Sequence, residues 1–136
     1  MAYRDRVPTT LTISAVCFTS DDHLLTVRKR GTSRFMLPGG KLDRGESPAQ
    51  AAVREVAEEL GIELDEADLV PLGTFREEAA NEPDTHVDAT IFTAALTGDP
   101  DATGEIAELR WTPIAAAPAD LAPLLARHVL PALRAR

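Results

Sequence analysis

Cysteine is almost missing from this 136-residue chain. Cys17 stands alone, which excludes an intrachain disulfide and a cysteine-based zinc cluster and makes a buried thiol in a reducing compartment the default. Long apolar runs are missing too. No stretch approaches the ~18 apolar residues of a membrane-spanning helix, and the opening MAYRDRVPTT has no apolar signal core. These absences point to the cytoplasm and away from a membrane. Positive charge is scarce: 14 Lys and Arg stand against 22 Asp and Glu, a formal net charge of −8. That balance argues against a nucleic-acid-binding surface, which draws on clustered cations. It leaves nucleotides open as ligands, because a bound metal inverts the local field at an acidic site. Internal repeats, low-complexity linkers and any Ser or Cys nucleophile motif are likewise absent.

What is present suits one globular unit. Apolar residues make up 44% of the chain and charged residues 26%, ordinary values for a soluble protein. At this length a chain buries roughly two-thirds of its unfolded surface, enough for one core, so a single domain over residues 1–136 is expected.

Thr9 to Thr19 alternates, with Leu11, Ile13, Ala15 and Cys17 on one face and Thr10, Thr12 and Ser14 on the other, which predicts a strand. Asp21-Asp22 signals a turn, and His23 to Arg28 resumes as a second strand, so a hairpin is expected. A short strand over Phe35-Met36-Leu37 leads into Pro38-Gly39-Gly40, where paired glycines permit close approach of backbone and ligand. Leu69 to Phe75 and Val87 to Leu96 read as a second hairpin, joined by a polar loop from Arg76 to Asp84. Thr97 to Gly104 reads as a loop. Pro118 to Arg136 predicts a closing amphipathic helix interrupted or kinked at Pro131. His23 and His86 read as surface residues and His128 as a structural one.

The stretch from Gly40 to Ile62, GKLDRGESPAQAAVREVAEELGI, carries the chemistry. Ser47, Pro48 and Gln50 have the form of N-cap, N1 and N3 in a capping box, and Gly61 suits the left-handed position that ends a helix. Between them Val53, Val56, Ala57 and Leu60 form an apolar stripe, while Glu55, Glu58 and Glu59 share about one quadrant of the opposing face. Like charges so placed repel, and Arg54, four residues before Glu58, offsets only part of that. Clustered carboxylate oxygens are what a hard divalent cation requires.

Gly40, Glu46, Arg54, Glu55, Val56, Glu58, Glu59, Gly61 and Ile62 fill every specified position of a pattern that resembles the Nudix box of the Nudix hydrolases. The match covers about a sixth of the chain, and the preceding Leu37-Pro38-Gly39 and the chain length also resemble that family. The resemblance implies an α/β fold in which a mixed sheet lies between helices, an α/β/α sandwich. It implies Mg²⁺ as cofactor, with Mn²⁺ as a substitute, bound by Glu55, Glu58, Glu59 and the backbone carbonyl of Gly40. Glu46 and Arg54 would orient these glutamates, and Glu55 or Glu105 would take a proton from the attacking water, with Glu108 as the alternate to Glu105. A phosphate clamp at Arg28 and Lys29, and a pocket bounded by them, Phe35 and the 76–84 loop, would hold a small-molecule nucleotide. The implied reaction is hydrolysis of a phosphoanhydride in a nucleoside diphosphate linked to another group. Glu77 stands near the place where the ADP-ribose branch carries a proline, the NADH-type motif is absent, and Leu24 to Arg28 resembles the start of the coenzyme A branch's motif with too short a spacing for the rest, which favours a free nucleoside triphosphate, cleaved to monophosphate and pyrophosphate. A non-catalytic nucleotide-sensing module is the alternative from another class, an isomerase on the same fold a weaker third, and a homodimer is left open.

Overall fold

The computed structural model describes residues 9–80 and 82–136; most of the opening segment read for a signal, through Pro8, and Asn81 of the 76–84 loop lie outside the described residues. In chain order the strands are β1 (Thr9–Cys17), β2 (Thr19–Ser20), β3 (His23–Lys29), β4 (Gly39–Lys41), β5 (Val70–Glu78), β6 (Thr85–Thr93) and β7 (Ile106–Pro113). Helix α1 (Pro48–Leu60) follows β4, and α2 (Leu130–Ala135) closes the chain. The expected single mixed sheet is two sheets. One has the order β4-β1-β6-β5, with β1 and β6 parallel and the other pairs antiparallel; the other has the order β2-β3-β7.

The first hairpin is corrected by this topology. Of the Thr9 to Thr19 stretch only the two-residue β2 pairs with β3, across a turn in which Asp21 and Asp22 both take positive φ, as a tight two-residue hairpin requires. β1 cannot pair with β3 because its two edges are taken by β4 and β6. The second hairpin forms as read, but β5 runs on to Glu78, so the loop is shorter than Arg76 to Asp84. Phe35 and Met36 make only isolated bridges, to Leu121 and Val27. A one-turn 3₁₀ helix over Glu66–Asp68, capped by Asp65, was not anticipated.

Strand alternation divides the core in two. Val16, Leu25, Val27 and Phe92 pack with Ala52, Val56 and Leu60 of α1, while Ala15, Cys17, Leu24, Val87, Ala89 and Ile91 pack with Leu125, Val129, Leu130 and Leu133. Helices therefore cover both outer faces, the sandwich expected from the sequence. The buried arc of α1 differs from the predicted stripe: Ala57 is exposed, Val53 half-buried, and Ala51, Ala52 and Glu59 are buried beside Val56 and Leu60. The closing helix passes through Pro131 without breaking. It widens to a π-helical turn over Leu125–Val129, where Leu130 N–H reaches the carbonyl of Leu125. Proline has no N–H and its ring presses on the carbonyl four residues back, a strain that the wider turn relieves. Among the described residues no helix is long and apolar enough to cross a membrane.

Candidate active site

Both ends of α1 are capped, which fixes the heights of its glutamates. At the start, Gln50 N–H donates to Ser47 Oγ at 3.1 Å and Ser47 N–H donates to Gln50 Oε1 at 2.9 Å. At the other end the last four carbonyls, normally orphaned, all find donors. Gly61 N–H serves Ala57, Thr103 Oγ1 serves Glu58 at 2.6 Å, Thr103 N–H serves Glu59 and Asp101 N–H serves Leu60. The 97–104 loop is thereby tied to the helix end and carries Glu105 to it. Sequence reasoning missed Thr103; the signal was a helix end with no basic residue to meet its carbonyls.

Arg54 is the hub of the exposed side. Its guanidinium grips Glu46 with two bonds, Nε to Oε2 at 2.7 Å and Nη2 to Oε1 at 2.9 Å. Nη1 donates to Glu55 Oε1 at 2.7 Å and Nη2 to the Lys41 carbonyl at 3.0 Å. Glu58, mostly exposed, is reached only at 3.5 Å. The Arg54 bonds, then the Asp43 N–H, pull the Glu46 carboxyl down to about 2. Burial pushes Glu55 upward, against the pull of Arg54.

Glu59 lies within the buried arc of the helix, among Ala52, Val56 and Leu60. It is 2% exposed. Burial, and then the negative charge of Glu55 and Glu105, pushes its carboxyl up to about 8 against the Gly39 N–H and Lys29. Oε1 accepts the Gly39 N–H at 2.9 Å, and Oε2 has no partner. The glycine pair is required by close packing. A Cβ on Gly39 would lie 2.2 Å from the Ser14 carbonyl oxygen, and one on Gly40 would lie 2.6 Å from the Glu55 carboxyl carbon.

Glu55, Glu59, Glu105, Lys29 and Gly40 are thus neighbours, although they come from a helix, a loop and two strands. Lys29 forms an ion pair with Glu105 at 3.4 Å. Two of the residues expected to hold substrate, Arg28 and Phe35, are not among the residues that line the neighbouring cavity. Arg28 is engaged by Glu108 at 3.0 Å and by the Thr32 carbonyl at 2.9 Å. Phe35 is buried in the core with the Arg110 guanidinium 3.7 Å above its ring, where an apolar ring is worth more than in an open cleft. A cavity of about 290 Å³ opens beside the acidic group, lined by Lys29, Gly39, Gly40 and Lys41 and by apolar residues including Leu37 and Leu125.

Among the described residues no three acidic or histidine side chains already converge as a metal cage. The donor chemistry nevertheless suits a hard cation. The carboxylates at hand offer only oxygen, and Glu59 Oε2 is buried with no donor facing it, a gap that a cation would fill.

A model of the NUDIX domain matches residues 8–133. A Bacillus subtilis (strain 168) protein, named as a candidate 8-oxo-dGTP diphosphatase, is 30% identical over 99 residues, 71% of this chain and 61% of its own length. The human diphosphoinositol polyphosphate phosphohydrolase 3-beta is 35% identical over 86 residues, 61% of this chain and 51% of its own length. This chain therefore spans about half to three-fifths of the length of these curated relatives. Among solved structures, a MutT NUDIX hydrolase from Burkholderia pseudomallei has the same fold, with a TM-score of 0.77 at 24% identity over 92% of this chain and 98% of that one.

Proposed function

This chain belongs to the NUDIX family, and we propose that it is a divalent-metal-dependent pyrophosphohydrolase acting on nucleoside triphosphates. The observation that carries the reading is Glu59, a buried carboxylate with one oxygen unpartnered beside a second carboxylate. A fold retains such an arrangement at a cost unless a cation or proton completes it. Glu55, Glu58 and Glu59, with the Gly40 carbonyl, would hold Mg²⁺ or Mn²⁺, which would neutralise phosphate oxygens and acidify the attacking water.

The chain's own residues do the positioning. Glu46 locks Arg54, and Arg54 locks Glu55, the kind of supporting bond that aligns a ligand. Water oxygen bonds to phosphorus as the phosphoanhydride P–O bond breaks, and the departing pyrophosphate takes the electron pair. The proton goes to Glu55 or Glu105, the two carboxylates beside Glu59 that the helix and the tied loop present. Lys29 lines the cavity, and its partly exposed pair with Glu105 is weak enough to yield to a phosphate.

A triphosphate suits this cleft better than a highly phosphorylated ring. Lys29 and Lys41 are the lysines among the described lining residues, few cations for a substrate with many phosphates. The name of the Bacillus relative agrees with a nucleotide. The test is a panel of canonical and oxidised triphosphates, ADP-ribose and a dinucleoside polyphosphate with Mg²⁺. Release of monophosphate and pyrophosphate from a triphosphate, at the highest kcat/KM, is expected. A far higher kcat/KM for ADP-ribose or the dinucleotide would overturn the substrate; no metal-dependent release from any member would overturn the hydrolase.

A further inference from the structure

Two polar side-chain atoms are buried without a partner among the described residues, Ser14 Oγ and Glu59 Oε2. Neighbouring side chains on a strand point to opposite faces, so Ser14 shares the face of Val16, and Val16 packs with Ala52, Val56 and Leu60 of α1. Ser14 pairs with Gly40 across the β1–β4 ladder, and Ala15 pairs with Gly39. Gly40 is where the Glu55 carboxyl rests, and the Gly39 N–H holds Glu59 Oε1. Both orphaned atoms therefore belong to one short ladder and the helix that covers it.

A hydroxyl buried in this layer is a loss relative to alanine unless something uses it. Thr26, equally buried in the other sheet, shows the ordinary solution: its hydroxyl donates to the Arg110 carbonyl and meets Thr112 Oγ1. Ser14 has no such partner, and the helix that covers its face carries the other orphaned atom, Glu59 Oε2, on a carboxyl anchored to the strand that pairs with Ser14. Buried waters sit where such groups face one another, each bonding to about two to four of them.

We propose that Ser14 is a positioning residue of the acidic site: one buried water bonded to Ser14 Oγ and Glu59 Oε2 holds the second oxygen of Glu59 while the Gly39 N–H holds the first. The water donates a hydrogen to Glu59 Oε2 when the carboxyl is ionised or accepts one when it is protonated, and it exchanges its second bond with the hydroxyl, which is both donor and acceptor. Glu59 is then aimed before any cation arrives. The inference rests on the reading of Glu59 as a cation ligand only for its second readout below.

Its test is a thermal double-mutant cycle in chelator, using the metal-free protein, Ser14→Ala, Glu59→Gln and the double variant. The two substitutions should be non-additive by about 3 °C or more in Tm. Calorimetric titration with Mn²⁺ alone should then show Ser14→Ala binding about 10-fold more weakly than the wild type, as for loss of a supporting bond. Thr26→Ala, which also removes a buried hydroxyl, should lower Tm additively with Glu59→Gln and leave Mn²⁺ affinity unchanged. Additivity of Ser14→Ala and Glu59→Gln within about 1 °C, or a Ser14→Ala protein with wild-type Mn²⁺ affinity, overturns the proposal. Should the wild type bind no Mn²⁺, the cation reading fails by itself and the metal-free cycle alone decides the role of Ser14.

Discussion

Glu59 and Gly39, twenty residues apart in the chain, are joined by a 2.9 Å hydrogen bond from the glycine N–H to one carboxylate oxygen. The bond fastens α1 to the short strand β4 and leaves the other carboxylate oxygen buried and unpaired. A stability cost and a cation site are thus the same atom.

Glu59→Gln separates the two. The amide keeps the acceptor for Gly39 and removes an acid that burial lifts from 4.5 to about 8, a shift that costs stability as pH rises above the unfolded value, so at neutral pH the metal-free protein should be at least as stable as the wild type in urea. Activity should fall by on the order of 10² or more. Added Mg²⁺ should raise Tm in the wild type and much less in the variant. Near-normal turnover at limiting Mg²⁺ would remove Glu59 from the ligand set, and the same outcome in Glu58→Gln would remove Glu58.

The two glycines should respond differently to alanine. In Gly39→Ala the new methyl meets backbone, the Ser14 carbonyl oxygen at 2.2 Å, so the β1–β4 pairing must shift. A loss of about 3 kcal/mol or failure to fold is expected. In Gly40→Ala the methyl meets the end of a flexible side chain, Glu55. That protein should fold with Tm within a few degrees of wild type and lose activity, as thermal melts and kcat measured side by side would reveal. Equal destabilisation by both would contradict the packing argument.

Glu46→Gln probes the Arg54 hub. The folded Glu46 carboxyl is depressed from 4.5 to about 2, first by Arg54. A depressed acid contributes stability that is present above its unfolded value and is lost as pH falls through its folded value. The wild type should therefore lose stability between about pH 4.5 and 2 more steeply than Glu46→Gln, and chemical unfolding across that window measures it. At neutral pH the variant should show kcat reduced by roughly 10- to 100-fold, because Arg54 no longer aligns Glu55. An unchanged kcat would leave Glu46 with a purely structural part.

Two carboxylates compete for the role of base. A general base contributes about 10²–10⁴ in rate, so Glu55→Gln or Glu105→Gln should cut kcat by that range at saturating Mg²⁺. If neither does, the proton leaves by another route.

Much of what is local in this protein could be read from its sequence, because near neighbours in the chain decide it, although the Asp65-capped turn at Glu66–Asp68 was missed. The capping box at Ser47 and Gln50, the left-handed stop at Gly61 and the i, i+3, i+4 spacing of Glu55, Glu58 and Glu59 depend on helix geometry alone. The alternation that sends Ala15 and Val87 to one core and Val16 to the other depends only on the pleat. Tertiary structure decided everything that needed two distant segments to meet. The parallel pairing of β1 with β6 took both edges away from the hairpin that Asp21-Asp22 suggested. The packing of α1 on β4 turned Glu59 inward and left Ala57 outside, since a helix's buried arc is set by the surface it lies on and not by its own apolar count. Thr103 reached the end of α1, and Arg110 covered Phe35, through contacts between residues more than forty positions apart. Helix periodicity put the glutamates on neighbouring positions; burial against the Gly39–Gly40 strand made one of them an unpaired acid, because desolvation is a property of the assembled layers and of no segment alone.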